Sequence, residues 1–240
     1  MLEYQRLKKD RRQLLALTGL THKEVVALYE AFYAAYTTVY PRDKTAEGRP
    51  RQRRSGGGRK GQLGTTEQKL VFSVVYLKTY PLQAVLGEIF GLSQSRANRW
   101  LPRLLPMVKQ ALDELGGVPS REPAHVAKQE RGSQEGVELI IDGTDRRRQR
   151  PKNPETQALP YSGKQKTPSD KNVGVVHAKT NRVGYVSQTD AGKMPDQKIV
   201  DTEPIRYPAG TSLYKDPGFQ GSEPQVQQSQ QPKKSRARAR

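Results

Sequence analysis

The chain has 240 residues, 33% of them hydrophobic, with 21 glycines and 17 prolines, so a modest core shares it with long loops. A formal net charge of +18 points to a polyanionic partner, nucleic acid first and a membrane surface second. With no cysteine and only His22, His125 and His177 spread along it, the sequence excludes disulfides and thiolate sites and makes a zinc centre improbable. No apolar run approaches the roughly 20 residues of a spanning helix, and the N-terminus lacks a signal peptide's apolar centre.

Residues 1–17 mix charge with Leu2, Leu7, Leu14 and Leu15, which predicts a short helix with little core. Thr21 and Glu24 have capping-box spacing. Val25, Leu28, Phe32, Tyr36 and Val39 then recur at helical intervals until Pro41. Residues 42–64 read as a basic, glycine-rich linker. Arg51, Arg53 and Arg54 within it are candidates for sequence-independent contact with a phosphate backbone. A solvated tail that aids solubility is the plainer reading.

Residues 65–115 carry the best pattern. Thr65 and Gln68 suggest a second capping box. Leu70, Val74 and Leu77 mark a face, and Pro81 ends the helix. A short helix over 82–90 buries Val85, Leu86, Ile89 and Phe90, Gly91 caps it, and Ser93 starts a third helix. That helix turns Ala97, Trp100, Leu101 and Leu104 inward and displays Gln94, Ser95, Arg96, Asn98 and Arg99. Pro102 and Pro106 are expected to cut it short. Two helices around a tight glycine turn, the second polar and basic at its start, form the helix-turn-helix pattern. Gln, Asn and Arg are the side chains that pair with base edges. An ordinary helical hairpin with a polar face is the competing reading.

Residues 116–136 form a polar connector. Val137–Ile141 reads as a buried strand ending in Asp142, Gly143 and Thr144, followed by Arg146, Arg147, Arg148, Arg150 and Lys152. An acid at the end of a buried strand beside that much positive charge suits a carboxylate that meets phosphate through a cation; an Asp that merely opens a turn is the bland alternative. Residues 173–178 and 183–187 predict a hairpin turning at Thr180-Asn181, 196–203 a short helix, and 212–215 a strand ending at Asp216. From Gln225 the text is glutamine-rich and then basic, and reads as disordered over 225–240.

Two acids ending strands in a basic domain fit two-metal phosphoryl transfer. Ile140-Ile-Asp-Gly-Thr144, Arg150-Pro151, Tyr161-Ser-Gly-Lys164, Lys171-Asn172 and Leu213-Tyr-Lys-Asp-Pro-Gly-Phe-Gln-Gly221 resemble the DDE transposases of bacterial insertion sequences. The closest subgroup sets a helix-turn-helix ahead of a DDE-superfamily endonuclease domain, and Gly91-Leu-Ser-Gln-Ser-Arg-Ala-Asn-Arg-Trp100 is similar to its DNA-binding part. The likeness covers about residues 17–234, through the order and spacing of its motifs. It implies an α+β multidomain fold: an N-terminal all-α helix-turn-helix domain, then an incomplete ribonuclease-H-like α/β domain over 137–224. It implies Asp142 and Asp216 as catalytic acids and metal ligands, Asp196 as a further ligand, and magnesium or manganese as cofactor. Lys164 joins the DNA-binding residues, and duplex transposon ends become the partner, with a homo-oligomer on DNA, in a bacterial cytoplasm and nucleoid.

The sequence departs from that family's pattern in three places. No His precedes Asp196 in Lys193-Met-Pro-Asp196, none precedes Lys171-Asn172, and the chain stops before the helix that would carry the family's third acid, a Glu. Glu223 and Asp145 do not hold that acid's place in the motif order. The expectation is a truncated transposase, incomplete as a catalyst because its second metal lacks a ligand. The alternative is a DNA-binding module alone, with a general RNA-binding protein ranked last, since single-strand binders interleave aromatics that this chain lacks.

Overall fold

Thr21 accepts a hydrogen bond from the Glu24 amide, and the Glu24 carboxylate accepts one from the Thr21 amide at 2.7 Å. This reciprocal cap starts a helix of 18 residues. Thr65 caps its helix from one side only: its hydroxyl accepts from the Gln68 amide, but the Gln68 side chain turns away. It accepts from the Tyr4 amide at 2.9 Å and donates to the Leu2 carbonyl at 2.6 Å, so it pins the N-terminal segment instead.

The structure, a computed structural model, describes residues 1–44, 48–52, 61–129, 137–158, 160–219, 221 and 226–231. It divides into two compact units, Met1–Val118 and Pro119–Arg240. The first is helical: α1 (Tyr4–Leu7), α2 (Arg11–Thr18), α3 (His22–Val39), α4 (Thr66–Thr79), α5 (Gln83–Phe90) and α6 (Gln94–Glu114). All six share one core. Leu7 and Leu14, expected to bury little, are fully buried in it, beside Phe32, Phe72, Leu86, Phe90 and Leu104. Phe72 meets Phe90 edge-to-face at 5.2 Å. α4 is apolar around most of its girth: Leu70, Val71, Phe72, Val74 and Val75 are all buried, so it runs through the middle of the unit. Leu77, Val85 and Val39, expected inward, are exposed.

Pro102 and Pro106 do not interrupt α6, which runs unbroken to Glu114. Both stand on the solvent side, four residues apart and therefore on one face. The carbonyls their missing N–H groups leave unbonded can be hydrated there. The opposite face buries Ala97, Leu101, Leu104, Met107, Val108 and Ala111, which offsets the cost.

Between α3 and α4, Lys44 bridges to Pro50, and Arg51 donates from Nε to the Lys44 carbonyl at 2.6 Å. Part of the expected linker is thus a closed loop. Arg53 and Arg54 lie outside the described residues.

The second unit opens with a 3₁₀ turn at Pro123–His125 and α7 (Val126–Gln129). It continues through β1 (Glu138–Arg147), α8 (Pro154–Gln157), β2 (Tyr161–Ser162), β3 (Thr167–His177), β4 (Val183–Val186), β5 (Asp190–Ala191), α9 (Asp196–Thr202), β6 (Ser212–Lys215) and β7 (Gln228–Gln230). The sheet order is β2-β3-β1-β6-β7, with β4 and β5 also paired to β3. β1 is antiparallel to β3 and parallel to β6, and β6 is parallel to β7. A helical unit followed by this mixed sheet makes the chain α+β. One face of the sheet buries Leu139, Ile141, Val173, Val175 and Leu213, against which Ile199 of α9 and Phe219 pack.

Two expectations change here. β1 does not stop at Ile141 but continues to Arg147 through its pairing with β3. And residues 228–230, expected to be disordered, form β7; their side chains are exposed, and an edge strand held by backbone bonds needs no apolar side chains. Residues 232–240 lie outside the described residues.

Because both prolines of α6 sit at exposed interior positions, Pro102→Ala restores a helical hydrogen bond. It is expected to stabilise the chain by about 1–3 kcal/mol, net of the greater freedom alanine gives the unfolded chain. Urea denaturation measures this; a loss of stability would mean that the core depends on the bend.

Candidate nucleic-acid interface and acidic site

Gly91, left-handed at φ 67°, closes α5, and the Leu92 amide donates back to the Gly87 carbonyl at 2.7 Å. A Cβ on Gly87 would stand 2.6 Å from the Leu92 carbonyl oxygen, so this turn is tight enough to require glycine inside α5. Ser93 then accepts from the Arg96 amide and starts α6. Gln94, Ser95, Arg96, Asn98 and Arg99 are all exposed. Neither Arg96 nor Arg99 has an ion pair among the described residues. Asn98 is partly engaged, its side-chain oxygen accepting from Gln83 at 3.2 Å.

What holds this helix was not read from the sequence. Lys69 of α4 is buried, with its Nζ 5.3 Å from the Tyr36 ring of α3 and 5.6 Å from the Trp100 ring of α6. A cation between two rings ties the first turns of α6 to the central helix. Burial pushes the Lys69 pKa down. The only signal was the position of Trp100 beside the displayed residues.

In the second unit, the parallel pairing of β1 with β6 ends at Ile141↔Lys215. One step further along the register, Asp142 and Asp216 stand on neighbouring strands, which lie about 4.8 Å apart. Both are exposed, and both line a cleft of about 620 Å³ with Ile140, Tyr214, Gln230 and Gln231. Gln231 donates from Nε2 to the Asp216 carbonyl at 2.7 Å, and Asp142 Oδ1 accepts from the Gly143 amide at 2.8 Å. Asp142 is therefore mid-strand in β1, yet it sits just past the end of the parallel pair. Two carboxylates offer hard oxygen donors of the kind magnesium and manganese take. Among the described residues, no group of three or more His, Cys, Asp or Glu side chains is placed to hold a metal.

Asp196 arrives from the other side. A Cβ on Gly143 would lie 2.5 Å from Asp196 Oδ1, and one on Gly218 would lie 3.1 Å from Oδ2. The carboxylate is thus wedged against the glycine after Asp142 and the glycine two residues after Asp216. Successive strand residues face opposite ways, so Gly143 faces α9 while Asp142 faces the cleft. Asp196 Oδ1 is 3.1 Å from Lys171 Nζ, an ion pair with both side chains mostly buried. Next to Lys171, Asn172 accepts from Arg146 Nη2 at 2.7 Å and donates to the Ser187 and Gln188 carbonyls. Lys171 is therefore part of the frame beneath the acids, whereas Asn172, opposite Thr144 in the register, lies on the same face as Asp142. Lys164 is exposed in the turn between β2 and β3.

Residues 61–114, from the approach to α4 to the end of α6, match the family described as the helix-turn-helix of DDE superfamily endonuclease. No curated protein and no solved structure matches the chain. The helical unit thus carries a transposase-like DNA-binding helix-turn-helix. No helix among the described residues is long and apolar enough to cross a membrane.

The contact of Gly143 with Asp196 is open to a double-mutant cycle. Gly143→Ala is expected to cost about 1–3 kcal/mol by overpacking. Adding Asp196→Ala to it should cost at least about 1 kcal/mol less than the sum of the two single changes. Additive losses in thermal denaturation would show that the two residues do not press on each other.

Proposed function

We propose that this chain is a DDE-transposase-type endonuclease that binds transposon-end DNA through α6 and presents Asp142 and Asp216 to a phosphodiester. The observation that carries the reading is the β1–β6 register, by which Asp142 in β1 and Asp216 after β6 both follow directly on the last parallel pair, Ile141↔Lys215. That is where open α/β sheets place their ligands. A sheet with antiparallel partners on one side of β1 and parallel ones on the other supports the ribonuclease-H-like assignment, and the helix-turn-helix match supports the lineage.

In this reading Asp142 and Asp216 hold a magnesium or manganese ion. A cation held there supplies Lewis acidity to the scissile phosphate. The chain's own part is to fix the two carboxylates: Gly143 lets Asp196 in beneath β1, Lys171 holds Asp196, and Gln231 ties down the backbone of Asp216. Positioning of this kind supplies much of the catalysis in phosphoryl transfer. Among the described residues two carboxylates face the cleft, so a second cation there would lack a third carboxylate ligand, and cutting by this chain is expected to be slow. The second reading, a module that binds transposon ends without cutting, is favoured by the Asp196–Lys171 ion pair, which draws a third carboxylate away from the cleft.

Duplexes selected by the chain from a random pool provide the substrate. Arg96→Ala is expected to weaken the selected duplex by about 1–3 kcal/mol while leaving random duplex unchanged. No loss on any DNA would remove α6 from the interface. A supercoiled plasmid carrying the selected site should be nicked slowly in manganese, and Asp142→Asn should abolish the nicking with binding intact. Binding without nicking in either metal selects the second reading, and nicking that survives Asp142→Asn refutes the acid pair.

A further inference from the structure

The β2–β3 hairpin and the exit of β1 enclose a cleft of about 840 Å³ lined by Arg148, Arg150, Tyr161, Lys166, Thr167 and Pro168, with Ala158 at its rim. Three cations and one aromatic ring share this wall. Arg148 pairs with Asp170 at 2.8 Å, and no carboxylate is among the residues lining the cleft, so its wall is positive in character. Tyr161 is 46% exposed, on the strand pair that sets it opposite Pro168. Lys166 adopts φ 51°, a left-handed conformation that a side chain of its kind rarely takes and that clusters where a fold positions function. The Arg148 amide bonds the Pro168 carbonyl at 3.0 Å, so the β1 exit and the hairpin form one surface.

We propose that this cleft binds an unpaired DNA nucleotide, with its base stacked on Tyr161 and its phosphate between Arg148 and Lys166. Cations that track a backbone beside an exposed ring are what single-stranded segments bind. A cleft of about 840 Å³ has room for one extruded nucleotide, whereas a duplex is too wide to enter. Stacking needs a base out of its pair, so the ligand is a frayed, flipped or overhanging position. The location agrees with this. Arg148 lies six residues beyond Asp142, about 20 Å along an extended strand, or about six base pairs of duplex rise. DNA held at the acids would run past the cleft. This placement rests on the proposed endonuclease reading, whereas the nucleotide site itself does not.

The test measures fluorescence anisotropy of the full chain with three labelled probes: a blunt duplex, the same duplex with a three-nucleotide DNA overhang, and the same duplex with an RNA overhang. Wild type is expected to bind the DNA overhang more tightly than the blunt end. Tyr161→Ala should weaken the overhang probe about tenfold, at the lower end of one stacked base, and leave the blunt probe unchanged. Lys166→Ala should weaken the overhang probe and flatten its salt dependence. With the selected site in the shared duplex, Arg96→Ala, in the helix-turn-helix, should weaken all three probes alike. Equal loss on blunt and overhang probes in Tyr161→Ala would reduce the cleft to a duplex-backbone contact, and no loss on either would remove it. Tighter binding of the RNA overhang would overturn the assignment to DNA. Both surface variants should keep the wild-type melting temperature, which separates lost contact from lost fold. The anisotropy arms are run without divalent metal and read no cutting, so failure of the acid pair in the nicking assay and failure of this cleft are told apart.

Discussion

The acidic site depends on one backbone register. β1 and β6 run parallel and pair from Glu138↔Ser212 to Ile141↔Lys215. A slip of one residue would move Asp142 or Asp216 to the opposite face and separate them. The apolar pattern prevents that slip: Leu139, Ile141 and Leu213 must all turn toward α9 and Phe219. The same alternation that buries these side chains turns Ile140, Asp142 and Tyr214 outward. The position of the two acids therefore follows from core packing, with the covered face as the reference for the open one.

The polar frame under the sheet works from the other side. A mostly buried ammonium and carboxylate, Lys171 and Asp196, stabilise little by themselves, because desolvation cancels much of their attraction. Leaving either alone is costly, and so the pair locks the start of α9 to β3. On the opposite face Asn172, the neighbour of Lys171, fills its hydrogen-bonding capacity with Arg146 and the backbone after β4. The helical unit uses a different device for the same purpose. Lys69 sits between Tyr36 and Trp100, and Gly87 lets the turn close, so that the displayed end of α6 is set by packing rather than by its own exposed residues.

The helical half was the more legible in the sequence, because its signals are local. Thr21 with Glu24, Gly91 followed by Ser93, and the spacing of Ala97, Leu101 and Leu104 each act within a few residues. The misreadings came where tertiary context decides. Pro102 and Pro106 are helix breakers in isolation, yet they are tolerated where one face is wet and the other is packed. Gln68 has the spacing of a capping residue, but a distant segment offers its side chain better partners. Val39 and Leu77 continued an apolar period past the point where the core ends. In the second unit, Asp142 and Asp216 could be placed at strand ends, but neither the extension of β1 nor the meeting of the two acids is written locally. β7 carries no apolar signal, since its pairing rests on the backbone. Asp196 against Gly143 joins residues with no sequence pattern between them.

The β1–β6 pairing also has a kinetic consequence. It joins two strands only after the hairpin of β3 and β4 and the whole of α9 have been made, so a long loop must be closed before any of its bonds form. Closing such loops slows folding, whereas helical units rich in near-neighbour contacts fold quickly. The N-terminal unit also leaves the ribosome first. The chain therefore has a formed helix-turn-helix before Asp142 and Asp216 are brought side by side, and the surface of α6 is complete in a nascent molecule whose sheet is not.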